Sequence, residues 1–72
     1  MFTNFCKSIS SKVKTLREER NIPINDLSSF LNISTEDYIN KEETNNNNYF
    51  EIEELHMLSK IFYVPIEVLL RD

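Results

Sequence analysis

Apolar residues recur at helical spacing along most of this 72-residue chain. Ile9, Val13 and Leu16 fall at positions i, i+4 and i+7, which marks one face of a helix over about residues 4–20. The same periodicity predicts four more helices, over about residues 23–31, 35–43, 51–62 and 65–71. No segment carries a notable β-strand pattern. The sequence therefore predicts an all-α fold, with five short helices in one domain spanning residues 1–72.

Each later helix carries apolar residues that we expect to face a shared core. In the second helix these are Leu27, Phe30 and Leu31, and Tyr38 anchors the third. In the fourth and fifth helices the expected core residues are Ile52, Leu55, Leu58, Ile61, Phe62, Ile66, Leu69 and Leu70. A chain of this length lies near the lower limit for an independent core, which favours a dimer or a partner.

The residues around the predicted helix ends support these boundaries. The sequence contains no glycine, so other residues must take the left-handed conformation where helices end. Asn21 and Asn32 follow the first two helices, and asparagine tolerates that conformation better than other non-glycine residues. Ser34 precedes Glu36 and Asp37, which is the pattern of an N-cap with acidic residues in the first helical turn.

Charge is distributed unevenly along the chain, and the formal net charge is -4. Residues 1–22 hold five basic and two acidic side chains, whereas residues 23–72 hold three basic and ten acidic ones. The first predicted helix is therefore basic and the rest of the chain is acidic. The total has the wrong sign for a typical nucleic-acid-binding protein.

Several classes of protein are not expected from this sequence. No apolar run approaches the roughly 18 residues of a membrane span, and the N-terminal segment has no apolar stretch typical of a signal peptide. The single cysteine, Cys6, suits a reducing compartment, so we expect a cytoplasmic protein. His56 has no partners at metal-site spacing, and no glycine-rich phosphate loop or catalytic arrangement is present. We expect no metal, no cofactor and no enzymatic activity.

Residues 16–42 carry the most informative pattern, since two helical segments are joined by a very short turn at Asn32 and Ile33. From about Ile9 to Leu70 the chain resembles the phage-repressor and Cro-like family of helix-turn-helix domains (the xenobiotic-response-element type). That resemblance implies a small transcriptional regulator that binds double-stranded DNA as a dimer, with the third helix in the major groove. It also implies a partly buried ion pair between Arg17 and Glu42, for which a coincidental surface pair is the alternative.

The resemblance also implies which side chains face DNA. Asn40 would read a base edge, Ser34 and Thr35 would contact the backbone, and Lys7, Lys12 and Lys14 would attract phosphates. The complete set of expected contacts comprises Lys12, Asn25, Ser34, Thr35, Glu36, Ile39, Asn40 and Asn45. Residues 45–48 form a polar loop, which either touches phosphates or is simply flexible. For dimerisation the implied region comprises Ile61, Phe62, Tyr63, Val64, Ile66 and Leu70, with Tyr63 and Val64 the most exposed.

The positions that would touch DNA depart from the family pattern. Ile24 stands where the family commonly has a DNA-contacting glutamine, and Glu36 and Asp37 bring negative charge toward a polyanion. Ile39 and Lys41 replace a polar and an apolar residue respectively. Either these two have exchanged faces of the third helix, or Ile24 and Ile39 form an exposed apolar patch. The alternative function is therefore a protein-interaction module that binds a basic partner through an acidic surface.

Overall fold

A computed structural model describes residues 2–71, which form five α-helices and contain no β-strand. In order these are α1 (Phe2–Glu19), α2 (Ile24–Leu31), α3 (Thr35–Glu43), α4 (Ile52–Phe62) and α5 (Ile66–Leu70). The predicted all-α, five-helix fold is confirmed, and every predicted boundary lies within two residues of the observed one. Over this part of the chain, no helix combines the length and apolar character needed to cross a membrane.

All five helices contribute to one hydrophobic core. The buried apolar side chains are Ile9, Val13, Leu27, Leu31, Tyr38, Leu55, Leu58, Phe62 and Leu69. Tyr38 lies fully inside this cluster, and its ring packs on that of Phe50 with the centroids 5.6 Å apart. Because α3 contributes this one large side chain to the core, most of its remaining surface faces outward.

Two residues predicted for the core lie at the surface instead. Phe30 is 40% exposed, because α2 turns Leu27, Ser28 and Leu31 inward and leaves Phe30 on the flank. Ile52 is 54% exposed, because it begins α4 at the edge of the stripe that the later turns bury. On α2 it is the small Ser28 that lies against α3, which lets the two helices pack closely.

A residue in the left-handed conformation follows each of the first four helices. Asn32 has a φ of 60°, and its backbone N–H and that of Ile33 donate to carbonyls of the last turn of α2. Asn21, after α1, has a φ of 54°, so both asparagine predictions are confirmed. Thr44 and Tyr63 play the same part after α3 and α4, although neither is a residue that favours this conformation.

The connection between α3 and α4 is more ordered than the predicted polar loop. Residues 45–48 form a single tight turn, closed by a bond from the Asn48 N–H to the Asn45 carbonyl at 3.0 Å. Asn46 and Asn47 both have positive φ values, which asparagine accepts at low cost. The run of asparagines therefore serves a chain reversal that other proteins would build with glycine.

Candidate nucleic-acid interface

A short turn joins α2 to α3, and hydrogen bonds at the start of α3 hold this helix at the surface. Only residues 32–34 separate the two helices. The Ser34 hydroxyl accepts a hydrogen bond from the Asp37 N–H at 3.0 Å, so the predicted N-cap is confirmed. Glu36 and Asp37 lie in the first turn, where carboxylates interact favourably with the helix dipole. These contacts fix where α3 begins and which residues it presents.

Asn25 and Thr35, both predicted to contact DNA, are hydrogen-bonded to each other. The Thr35 hydroxyl donates to the Asn25 side-chain oxygen at 3.0 Å and lies 3.4 Å from the Ser28 hydroxyl. Ser28 in turn donates to the Asn25 carbonyl at 3.1 Å. The bond uses the amide oxygen of Asn25, whose NH2 group is a donor suited to a phosphate. The first turns of α2 and α3 are therefore joined into one polar surface.

The outward face of α3 carries most of the remaining predicted contacts. Glu36, Asp37 and Ile39 are exposed, and Asn40 is half-buried one turn further on. Asn40 carries both a donor and an acceptor, the combination that pairs with an adenine edge. Asn45 is exposed just beyond the helix. The face is thus accessible, but it is negatively charged.

The lysines of α1 are less available for phosphates than the sequence suggested. Lys7 is exposed, whereas Lys14 forms an ion pair with Glu43 of α3 at 3.5 Å. Lys12 lies on the flank of α1 that faces α5, since it borders the same groove as Val68. The flank that meets α3 carries Lys14 instead. The structure therefore places Lys12 away from the other predicted DNA contacts, because α5 covers its side of the helix.

Lys41 supplies a connection between α3 and α4 that the sequence analysis missed. Its Nζ donates to both carboxylate oxygens of Glu54, at 2.8 and 2.7 Å, and the two side chains are only 15% and 10% exposed. The same carboxylate accepts from the Glu51 N–H at 2.8 Å, within a capping box that opens α4. Lys41 is therefore turned inward to an acidic partner, whereas Ile39 is exposed.

The predicted pair of Arg17 and Glu42 joins α1 to the end of α3. Arg17 donates from Nε and Nη2 to the two oxygens of Glu42, both at 2.9 Å, and the Tyr38 hydroxyl donates to Glu42 at 2.7 Å. Hydrogen bonding to the carboxylate raises the pKa of Arg17. Burial, followed by the bond to Glu42, raises the pKa of Tyr38 far above its usual range. The role of this network is to hold α3 in place.

The predicted exposed patch of Ile24 and Ile39 does not form as expected. Ile24 is half-buried and packs against the core, while Ile39 is exposed. The first turn of α2 therefore offers little apolar surface, because Ile24 packs against the core. A hydrophobic contact at this face would rest on Ile39.

The expected dimerisation region lies at the end of α4 and along α5. Tyr63 is 93% exposed, and Ile61, Val64, Ile66 and Leu70 are half-buried. Phe62, which was predicted both for the core and for this region, is fully buried in the core. Its ring lies beneath Arg20, whose guanidinium carbon is 5.9 Å from the ring centroid.

Comparison with protein-family models, curated proteins and solved structures gives no match. Between residues 2 and 71, no group of three or more His, Cys, Asp or Glu side chains is arranged to hold a metal ion. What distinguishes the surface is the acidic, accessible face of α3, held by a buried ion pair on either side.

Proposed function

We propose that this protein is a small transcriptional regulator that binds double-stranded DNA through α3. The proposal rests on the contacts that hold both ends of α3 in position. A three-residue turn presents it, Ser34 and Asn25 fix its start, and Arg17 holds its end through Glu42. A helix positioned at both ends, with its outer face free, has the form needed to enter a major groove.

Base recognition on this proposal centres on Asn40. Its amide can form two hydrogen bonds to an adenine, and Glu36 can accept one from a cytosine amino group. Lys7, Asn25 and Asn45 contact phosphates, along with Ser34 and Thr35 at the start of α3. Because few cations take part, the affinity for unmatched duplexes is low and depends only weakly on salt, so tight binding requires a well-matched sequence.

A dimer supplies the affinity that one short helix lacks. Tyr63 is exposed at the far end of α4, and the half-buried Val64 and Ile66 lie close to it in the chain. Two copies joined there bring two α3 helices to paired half-sites, so the preferred sequence is a palindrome. The dimer is tested by measuring the molecular mass of the protein in solution, with and without a selected duplex.

The test is selection from a pool of random duplexes, followed by titration of the selected sequence. Asn40→Ala should weaken binding about tenfold or more, because a bidentate base contact contributes roughly 1–3 kcal/mol. Ser29→Ala, on the exposed side of α2, is the matched control and should leave the affinity unchanged. Equal affinity of the Asn40 variant and the parent would refute the role assigned to Asn40.

A second candidate function is a protein-interaction module for a basic partner. It is favoured by the charge of the α3 face, where Glu36 and Asp37 are exposed while Lys14 and Lys41 are already paired with acids. Ile39 would be its apolar anchor. On this proposal no duplex is selected even at low salt, and the charge-reversed variant Glu36→Lys loses the protein partner.

A further inference from the structure

Ile39 is an apolar residue on the outer face of α3, where its neighbours are polar. Its side chain is 39% exposed and lies outside the hydrophobic core. Tyr38 and Glu42 are the buried residues of this helix, and Lys41 is bonded to Glu54 of α4. Packing of α3 therefore does not depend on Ile39. A single exposed isoleucine is ordinary on a protein surface, so its meaning depends on what surrounds it.

The residues around Ile39 are those proposed to contact DNA. Side chains three and four positions apart are neighbours on a helix, which places Ile39 beside Glu36 and Thr35. The Thr35 hydroxyl donates to the Asn25 side chain at 3.0 Å, so this flank of α3 is the one joined to the start of α2. Asn40, the proposed reader of an adenine, comes next in the chain. Ile39 is thus the apolar member of a surface whose other residues can hydrogen-bond to bases or phosphates.

We infer that Ile39 recognises a thymine by contact with its 5-methyl group. In the major groove this methyl group distinguishes thymine from the other three bases, and apolar side chains contact it. An isoleucine cannot hydrogen-bond to a base edge, so the methyl group is the feature of the groove that it can recognise. The inference rests on the proposed function and adds a second base to it, a thymine close to the adenine bound by Asn40. Such a contact also contributes affinity that the negative charge of the α3 face does not oppose.

The test compares thymine with deoxyuridine, since these bases differ only by the 5-methyl group. In the duplex enriched by selection, each thymine of one half-site is replaced in turn by deoxyuridine, and the full chain is titrated with each product. One replacement should weaken binding about threefold to fourfold, the effect of taking one methyl group out of an apolar contact. In Ile39→Ala the same replacement should change the affinity by less than about twofold, because the contact is already lost.

Two checks make the comparison specific to Ile39. Alanine is a good helix former, so Ile39→Ala should stay folded, and its circular dichroism spectrum should match that of the parent. Ile52→Ala is the matched control, because it removes an exposed isoleucine from α4 instead of α3. This variant should show the same sensitivity to deoxyuridine as the parent.

The possible results separate this inference from the proposed function. The inference is overturned if the parent binds every deoxyuridine duplex as tightly as the thymine duplex. It is also overturned if Ile39→Ala loses as much affinity on the replacement as the parent does, since another residue would then contact the methyl group. In both cases DNA binding itself stands. Failure of the parent to bind any duplex would refute the proposed function, and this inference with it.

Discussion

Removing Arg17 is the sharpest test of how α3 is held on the rest of the molecule. Methionine at this position fills similar space but takes away both hydrogen bonds to Glu42. The Glu42 side chain is only 3% exposed, so water cannot replace the lost partner. Its carboxylate would retain only the bond from the Tyr38 hydroxyl.

The expected loss follows from leaving a buried charge without its partner. Breaking such a pair from one side costs about 3–5 kcal/mol. At the usual stability per residue, the free energy of unfolding of a 72-residue chain is roughly 4–11 kcal/mol. Arg17→Met should therefore remove a large share of the free energy of unfolding, and a detectable fraction of the variant should be unfolded without denaturant.

The assay is urea unfolding followed by circular dichroism, applied as a double-mutant cycle. Besides Arg17→Met, it requires Glu42→Met and the double variant, which has no buried charge at this place. The double variant should be more stable than the sum of the single losses implies, by about 2–3 kcal/mol. A loss below about 1 kcal/mol for Arg17→Met, with a coupling energy near zero, would show that the pair behaves as an exposed one.

Four further predictions follow from other contacts. Lys41→Met should cost about 3 kcal/mol in urea unfolding, because it leaves Glu54 buried, while Lys60→Met on the exposed side of α4 should change little. Since burial raises the Tyr38 pKa, the folded state holds that proton more tightly, so stability is complete below pH about 10 and falls by about 1.4 kcal/mol per pH unit above it. In a pH series of unfolding measurements, Tyr38→Phe should remove this decline. Tyr63→Asn should stabilise the monomer by about 0.5–1 kcal/mol by relieving the left-handed conformation, yet weaken self-association measured by sedimentation. Glu36→Gln should raise affinity for an unselected duplex several-fold at low salt in a binding titration, and an unchanged affinity would mean that Glu36 does not approach the phosphates.

Features that depend on local sequence were predictable here. The caps at Asn21, Asn32 and Ser34 involve residues within one helical turn, and backbone preference alone locates them. Helical periodicity located all five helices for the same reason. Periodicity does not show which part of the apolar face of a helix its neighbours cover. For this reason Phe30 and Ile52 were predicted to be buried although they are exposed.

Features that depend on distant parts of the chain were harder to predict. Lys41 and Glu54 are separated by 13 positions, and nothing in either local pattern identifies the other as its partner. Lys12 was assigned to DNA because α1 is basic, whereas its position depends on where α5 packs. Arg17 and Glu42 are separated by 25 positions, and their pairing was expected only through the family resemblance.

Contact between the outer face of α3 and DNA can be observed residue by residue. We would follow the backbone amide NMR signals of the labelled protein during titration with the duplex enriched by selection, at low salt. Shifts should be concentrated at residues 34–40 and at Asn25. Signals that stay unchanged there, or that move only among residues 61–70, would contradict the proposed contact and favour the protein-interaction module.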